Sequence, residues 1–271
     1  MNQIKEILLV LNSFENLSTI LEKGFATAKK FNAKVSILYV YEKPFFSIKE
    51  LFKNKDATLN KTKVKEYLKE KVASYTNEDI AILVKIDDTA SEVWDIVRDD
   101  KSFLIITPYH KKIAKTLVDK LEQNIFFLQT NHNKYTKTAL VVESLVDIQN
   151  TLELGKKLFT DSIKVLYNFY YVPDVATVDP TLTLAIESNI QLLESEENRF
   201  KEFLQEHSLD GEFFVNSVLG DETLSEYIQK EHFDSILYQQ EEEILLLEDD
   251  LALELLEENR VDCFIKKNFA I

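Results

Sequence analysis

The sequence predicts an α/β protein made of two tandem doubly wound domains, each built on a five-stranded parallel sheet. Short apolar runs rich in β-branched residues alternate with segments whose apolar residues recur at helical spacing, which is typical of strands joined by crossover helices. The strand runs are apolar throughout, as expected for sheets covered by helices on both faces. The length of 271 residues suits two domains at about 150 residues each.

The first half contains five predicted strands and four predicted helices. Ile7-Leu8-Leu9-Val10 is the apolar centre of the first strand, and Leu17, Ile20 and Leu21 form one face of the helix that follows. Residues 44–61 are predicted to be irregular. The predicted strands cover residues 4–11, 35–41, 80–86, 103–106 and 125–128, and the predicted helices cover residues 16–31, 63–75, 91–98 and 111–124.

The same order of elements begins again at Thr138. Ala139-Leu140-Val141-Val142-Glu143-Ser144 is similar to residues 7–13, which indicates an internal repeat. A link at residues 135–137 therefore divides the chain into domains at 1–135 and 136–271, and Asp221 or Thr89 is predicted as a helix N-cap. The later strands are predicted at 163–172, 212–218, 235–238 and 262–265, and the helices at 152–158, 182–207, from 220, and at 244–258.

The net charge of -15 is unevenly distributed. Residues 1–135 hold 22 Lys and Arg against 18 Asp and Glu, whereas residues 136–271 hold 10 against 29. The acidity favours solubility and lets the two halves, or two subunits, attract one another. It disfavours nucleic acid or an anionic membrane as a partner of the acidic half, and we expect neither partner for the chain.

Several features point to a cytoplasmic protein. No apolar run approaches the roughly 20 residues that a membrane helix needs, and the start of the chain lacks a signal h-region. The single cysteine, Cys263, excludes an internal disulfide and fits a reducing compartment. Its position within an apolar run predicts a buried, unreactive side chain.

Four apolar segments resemble the universal stress protein family in its tandem-domain form. They are Ile4 to Val10 as the opening strand, Ala33 to Val40 as the second, Leu104-Ile105-Ile106 as the fourth, and Cys263-Phe264-Ile265-Lys266 as the last. The resemblance covers nearly the whole chain. It implies the adenine nucleotide alpha hydrolase-like architecture, and pairing of domains through their last strands, residues 125–129 and 262–266.

The loops that bind nucleotide in this family differ here. Binding members carry an acidic residue after the first strand and spaced glycines after the fourth. This chain has Thr107-Pro108-Tyr109-His110-Lys111-Lys112 in the first half, and Gln239-Gln240 followed by three glutamates in the second. Without glycine the backbone cannot easily cradle a phosphate, and Pro108 lacks an N–H. The glutamates would repel a triphosphate, so we expect a degenerate member that does not bind ATP.

An anion site in the first half is the remaining binding hypothesis. Its cations lie at the start of the fourth helix, whose N-terminal end attracts anions, although lysines on a solvated surface explain the same pattern. If a nucleotide or another small anion binds, the cofactor-binding residues are predicted to be Asn12, Ser13, Val40, Thr107, Lys111, Lys112 and Lys115.

Three other segments have structural explanations. Residues 44–71 mix phenylalanine with lysine, a combination suited to single strands or membranes, but a packed flap is favoured because acidic residues dilute the charge. The acidic helix at 241–258 lacks the glycine turn of a calcium loop, so we expect a solvated face. The four histidines are scattered without ligand spacing, and no metal is expected.

These observations predict a stress-response binding or assembly module that is not an enzyme, needs no cofactor and forms a homo-oligomer such as a dimer. The alternative is a sensor that binds a nucleotide or other small anion in the first domain only. A third hypothesis, a nucleotide hydrolase, is disfavoured because the sequence has no Walker loop and no nucleophile–base pair.

Overall fold

The computed structural model describes residues 4–42, 61–131, 134–159, 162–170, 182–216, 223–241 and 251–268. The chain divides into two compact units. The first contains Met1–Asn133 together with Asp262–Phe264, and the second contains Lys134–Val261 and Ile265–Ile271. Within the described residues, no helix has the length and apolar character needed to cross a membrane.

The first unit is a doubly wound α/β sandwich. Its strands are parallel and lie in the order β3-β2-β1-β4-β5, so the chain runs outward from β1 in one direction and then returns to build the other side. Its elements are β1 (Glu6–Leu11), α1 (Leu17–Phe31), β2 (Lys34–Val40), α2 (Lys61–Val72), β3 (Ala81–Lys85), α3 (Thr89–Val97), β4 (Phe103–Pro108), α4 (Lys111–Lys120) and β5 (Asn124–Leu128).

The second unit repeats this plan. Parallel strands lie in the order β9-β6-β7-β8, and the last strand, β10, is shared between the two units. Its elements are β6 (Thr138–Val142), α5 (Ile148–Leu158), β7 (Ile163–Tyr170), α6 (Leu182–His207), β8 (Asp210–Asn216), α7 (Leu224–Lys230), β9 (Ser235–Glu241), α8 (Leu251–Glu258) and β10 (Asp262–Asn268).

The structure confirms the predicted fold class and corrects some boundaries. Helix α4 ends at Lys120 rather than at 124, since β5 already begins at Asn124. The predicted N-cap Thr89 is wrong: the preceding Asp88 caps α3 by accepting a hydrogen bond from the Ser91 N–H at 2.9 Å. The N-cap predicted at Asp221 is also wrong: the helix begins at Leu224, and Thr223 caps it by accepting a hydrogen bond from the Glu226 N–H at 3.1 Å. Glu241, the predicted first residue of the acidic helix, is instead the last residue of a strand. Asp221 itself, the irregular segment up to residue 60 and residues 242–250 of the acidic helix lie outside the described residues.

Two glycines occupy equivalent places in the repeat. Asn16 and Asp147 precede α1 and α5 in the left-handed conformation, with φ of 53° and 57°. Gly24 and Gly155 each follow eight residues later, inside the helix. A Cβ atom on Gly24 would lie within 2.5 Å of the Leu9 side chain, and one on Gly155 would lie 2.9 Å from Ile163. Gly24 and Gly155 therefore lie at positions where a helix approaches the sheet closely.

Replacing Gly24 by alanine should lower the stability of the protein. In an exposed helical position this change would gain up to about 1 kcal/mol from helix propensity. Here the added methyl group would collide with the fully buried Leu9, and overpacking of this kind costs about 1–3 kcal/mol. We therefore expect Gly24→Ala to lower the urea midpoint of unfolding.

Ala26→Gly, at an exposed position of the same helix, is the matched control. Its free energy of unfolding should fall by about 1 kcal/mol through helix propensity alone. A Gly24→Ala protein more stable than the parent would contradict the close approach of α1 to β1.

Candidate functional site

The switch point of the first sheet gathers part of the predicted site. Because β1 pairs with β2 on one side and with β4 on the other, the carboxyl ends of these strands open a crevice. Asn12 and Ser13 follow β1, Val40 ends β2, and Thr107 lies near the end of β4. Val40 and Thr107 are buried, whereas Asn12 and Ser13 are half-buried. These four residues, which were predicted to bind a nucleotide or anion, thus come from three neighbouring strand ends.

The hydroxyl groups at this edge make local contacts. The Ser13 Oγ accepts a hydrogen bond from the Glu15 N–H at 3.3 Å, and the Thr107 Oγ1 donates to the Pro108 carbonyl at 3.3 Å. The second unit repeats the serine contact, since the Ser144 Oγ accepts from the Val146 N–H at 3.0 Å. The repeated serine therefore has a structural role in shaping the turn after the first strand of each unit.

The end of β4 and the loop after it are held by the backbone of β5. The Tyr109 N–H donates to the Leu128 carbonyl at 2.9 Å, and the Tyr109 ring meets the Phe127 ring edge-on at a centroid distance of 6.4 Å. Pro108 contributes no N–H. Pro108 at the end of β4 and Tyr109 after it thus offer no free backbone N–H to a phosphate.

The cations predicted at this site lie at the start of α4. Lys111, Lys112 and Lys115 are exposed, and the first turn of the helix has no acidic residue. His110 occupies the N-cap position, but its side chain makes no capping hydrogen bond. Positive side chains at the positive end of a helix dipole repel it, so an anion bound here would relieve an unfavourable charge arrangement.

Sequence analysis missed an aromatic cluster beside the crevice, made of Phe14, Tyr39 and Tyr67. The Phe14 ring stacks on Tyr39 with centroids 4.9 Å apart and meets Tyr67 edge-on at 5.0 Å. Burial, aided by the neighbouring Tyr41, raises the pKa of Tyr39, so its hydroxyl stays protonated. The position of Phe14 just after β1 was a signal for this cluster. Its contact with Tyr67, however, depends on where α2 packs, which local sequence does not determine.

In the second unit a polar network occupies the equivalent region. The Gln239 side chain is fully buried; its Nε2 donates to the Val146 carbonyl at 2.7 Å, and its Oε1 accepts from the Thr151 hydroxyl. The Lys266 ammonium donates to Thr151 at 2.8 Å and to the Asp147 carboxylate at 2.6 Å. Sequence analysis missed this network, although a lysine in the apolar run of β10 was a signal.

Acidic residues of this region are held by neighbours rather than directed at a ligand. The Tyr238 hydroxyl donates to Glu143 at 2.6 Å, and the Asn268 amide donates to Glu241 at 3.1 Å. Partial burial works to raise the pKa of Asp147, but hydrogen bonds from Lys266 and Asn150 outweigh it and leave that pKa below its ordinary value. The carboxylate of Asp147 is therefore stabilised in its charged form by protein groups.

One position in the second crevice has a different type of side chain from the equivalent position in the first crevice. Leu11 pairs with Tyr39, and Val142 pairs with Tyr167, so Asn168 occupies the register position that Val40 has in the first unit. Asn168 is 2% exposed, and in the described part of the chain its Nδ2 has no hydrogen-bond partner. The second unit thus places an amide donor where the first places an aliphatic side chain.

The remaining candidate residues are Cys263 and the side chains that could bind a metal ion. Cys263 is fully buried, as predicted, and burial raises the pKa of its thiol, which disfavours the reactive thiolate. Among the residues that the structure describes, no group of three His, Cys, Asp or Glu side chains could hold a metal ion. His132 and the segment 242–250 lie outside the described residues.

Removing the Lys266 ammonium should destabilise the second unit. Lys266→Ala leaves the buried Thr151 hydroxyl and the Asp147 carboxylate without their cation. Breaking a fully buried pair costs about 3–5 kcal/mol; because the Asp147 side chain is 30% exposed, we expect about 2 kcal/mol. Chemical denaturation of the intact chain measures the loss.

Lys156→Ala, on the exposed surface of α5, is the control and should change stability by less than about 0.5 kcal/mol. Equal effects of the two substitutions would show that the Lys266 contacts contribute nothing specific.

The sequence matches no known family model and no curated protein. The structure, however, is similar to solved structures along nearly its whole length. A universal stress protein from Archaeoglobus fulgidus DSM 4304 superposes with a TM-score of 0.57 at 12% identity, covering 98% of this chain and 97% of that one. A functionally unknown protein from Pseudomonas aeruginosa PAO1 gives 0.55 at 12% identity, covering 97% and 92%.

A further Pseudomonas aeruginosa protein, from strain UCBPP-PA14, also carries the universal stress protein name. It superposes with a TM-score of 0.55 at 12% identity, covering 97% of this chain and 93% of that one. At this level of identity the likeness concerns the fold, and it extends over both units of the chain. The predicted resemblance is confirmed at that level: the chain has the fold of universal stress protein structures.

Proposed function

We propose that this chain is a tandem universal stress protein that acts in the stress response as a binding or assembly module, without binding or hydrolysing ATP and without enzymatic activity. The observation that carries the proposal is the loop after β4. A phosphate cradle needs several backbone N–H groups turned toward the ligand, usually through glycine. Here Pro108 has none, and the N–H of Tyr109 is bonded to Leu128.

The second unit supports the same proposal in a different way. Its Gln239 and Lys266 side chains, which could have met a polar ligand, are bonded to Thr151, Val146 and Asp147. A ligand entering this region would have to replace those hydrogen bonds with its own, and a buried polar group left unpaired costs about 1–3 kcal/mol. The network therefore competes with ligand binding.

The proposed assembly uses the last strand of each half, residues 125–129 and 262–266, and includes a homo-oligomer. Support comes from the fully buried Asp262 in the first unit. Its Oδ1 accepts hydrogen bonds from the N–H groups of Gln129 and Thr130, both at 2.8 Å, and its Oδ2 pairs with Lys23 of α1. The Phe126 and Phe264 rings lie 5.8 Å apart between centroids.

The assembly can be tested by cutting the link near residue 135 in the purified chain. We expect the two fragments to stay together in gel filtration and native mass spectrometry, because separation would expose the buried Asp262 and Lys23. Asp262→Asn keeps the shape of the side chain but leaves the Lys23 charge uncompensated, so it should promote dissociation.

Asp119→Asn, on the exposed side of α4, removes the same charge elsewhere and should leave the fragments associated. Two fragments that separate into soluble monomers would contradict the pairing. An uncut chain that remains monomeric at all concentrations tested would contradict the homo-oligomer.

The second candidate function is a sensor that binds a nucleotide or another small anion in the first unit only, through Asn12, Ser13, Val40, Thr107 and the three lysines. The observation that favours it is the exposure of three lysines at the start of α4, Lys111, Lys112 and Lys115, where the first turn of the helix has no acidic residue. Such a site would recognise charge rather than a phosphate held in a backbone cradle.

Calorimetry separates the two functions. With magnesium and ATP we expect no saturable heat from the intact chain, because the loop after β4 offers too few donors. Saturable binding of ATP, AMP or inorganic phosphate that disappears in Lys111→Ala with Lys112→Ala would instead support the sensor. Lys61→Ala with Lys65→Ala, which removes two exposed lysines from α2, is the control for net charge.

A further inference from the structure

Among the residues that the structure describes, the outer edge of the first sheet has backbone groups without a strand partner. Strand β3 pairs with β2 on one side and ends the sheet on the other. The Lys85 carbonyl accepts a hydrogen bond from the Tyr41 N–H at 3.0 Å, so Lys85 directs its backbone toward β2. Since the direction alternates along a strand, Ile82 and Val84 direct their N–H and C=O groups outward. Such an edge is a template for another strand.

This edge lacks the charges that usually protect a sheet. At the edge of the second unit, β8 displays Asp210 and Glu212 on its exposed surface. In β3 the residues from 81 to 84 are apolar, and the charge of Lys85 is engaged with Glu92 of α3 at 2.7 Å. Natural proteins place charges on edge strands to prevent pairing. Asp210 and Glu212 share Lys164, but their side chains are 75% and 49% exposed, whereas β3 has Lys85 as its one charged residue, so β3 is the less protected of these two edges.

Both faces of β3 offer apolar contacts to an added strand. On the α2 side a cavity of about 350 Å³ has an apolar part lined by Val72, Ala73, Ile80 and Ile82. The rest of its lining is polar or charged and consists of Lys69, Thr76, Asn77, Glu78 and Asp79. On the other side Leu83 is 38% exposed, and Trp94 of α3 is equally exposed. Successive side chains of an extended segment point to opposite faces, so alternate residues could enter the cavity while the others cover the α3 side.

Charges at the two ends of β3 determine which kind of strand could pair with this edge. Glu78 and Asp79 precede the strand and Asp87 follows it, and all three are exposed. Lys69 lies 3.5 Å from Asp79, but both side chains are largely solvated, so this pair is weak. Antiparallel pairing with a second copy, centred on Leu83, would place Asp79 opposite the partner's Asp87, and like charges directly opposite destabilise a strand pair.

We propose that the β3 edge binds an extended segment of a partner protein as an additional strand, and that this segment has alternating apolar residues flanked by lysine or arginine. Main-chain hydrogen bonds to Ile82 and Val84 hold the segment. Its alternating apolar side chains share one face and contact the cavity on the α2 side, while the residues between them lie over Leu83. Its flanking cations meet the carboxylates of Asp79 and Asp87. The surface belongs to the first unit and is separate from the strands proposed for domain pairing.

The test uses calorimetry on the intact chain with two synthetic peptides, Lys-Lys-Val-Thr-Ile-Thr-Val-Lys-Lys and its counterpart with glutamate in place of lysine. We expect saturable binding of the lysine-flanked peptide and at least about tenfold weaker binding of the other. Val84→Pro removes an outward N–H without touching the bonds to β2, and should weaken binding at least about tenfold. Circular dichroism confirms that this variant is folded.

A charge exchange provides the second arm. Asp79→Lys with Asp87→Lys should reverse the preference in favour of the glutamate-flanked peptide, whereas Asp119→Lys with Glu153→Lys, at exposed positions away from the edge, should not. The proposal is overturned if neither peptide binds the parent protein, or if Val84→Pro binds as well as the parent. Self-association that is lost in Val84→Pro, without peptide binding, would assign the edge to a second copy and also overturn it.

Discussion

The buried charges of β10 set the strictest constraint on the structure. Asp262 is fully buried in the first unit, where Lys23 and two backbone N–H groups compensate its charge. Lys266 is nearly buried in the second unit, where Asp147 and Thr151 do the same. The two residues are four apart and therefore share one face of the strand. A slip of one residue would turn both away from their partners, so the register of β10 is tightly specified.

In both crevices, groups near the strand ends contact other parts of the protein, but the residues that make these contacts differ. In the first unit a proline and a bonded tyrosine N–H follow β4, and the phenylalanine after β1 packs on two tyrosines. In the second, Gln239 and Lys266 connect the strand ends to α5 through hydrogen bonds. Both arrangements engage groups that a nucleotide site would leave open. Gly24 in α1 and Gly155 in α5 instead let those helices approach the sheets.

The sheet edges differ as much as the crevices. The edge of the second unit carries exposed carboxylates, consistent with the strongly acidic second half of the chain, and its Lys164 lies within 3.5 Å of both Asp210 and Glu212. The edge of the first unit is apolar along β3 and acidic at its ends. An apolar strand between acidic ends attracts a different class of partner from a uniformly charged surface. The recognition that we propose for this protein therefore rests on strand edges rather than on the crevices.

The sequence by itself determined the α/β class, the repeat and most element positions, because continuous apolar runs and helical periodicity are local signals. It also placed Asn12, Ser13, Val40 and Thr107 at one edge, since carboxyl ends of parallel strands meet there. Only the tertiary structure decided the partners of Lys23 and Lys266, because each of these ion pairs joins residues more than a hundred positions apart in the sequence. It also decided the contacts of Phe14, because the rotation of a helix about its axis is set by packing rather than by local sequence.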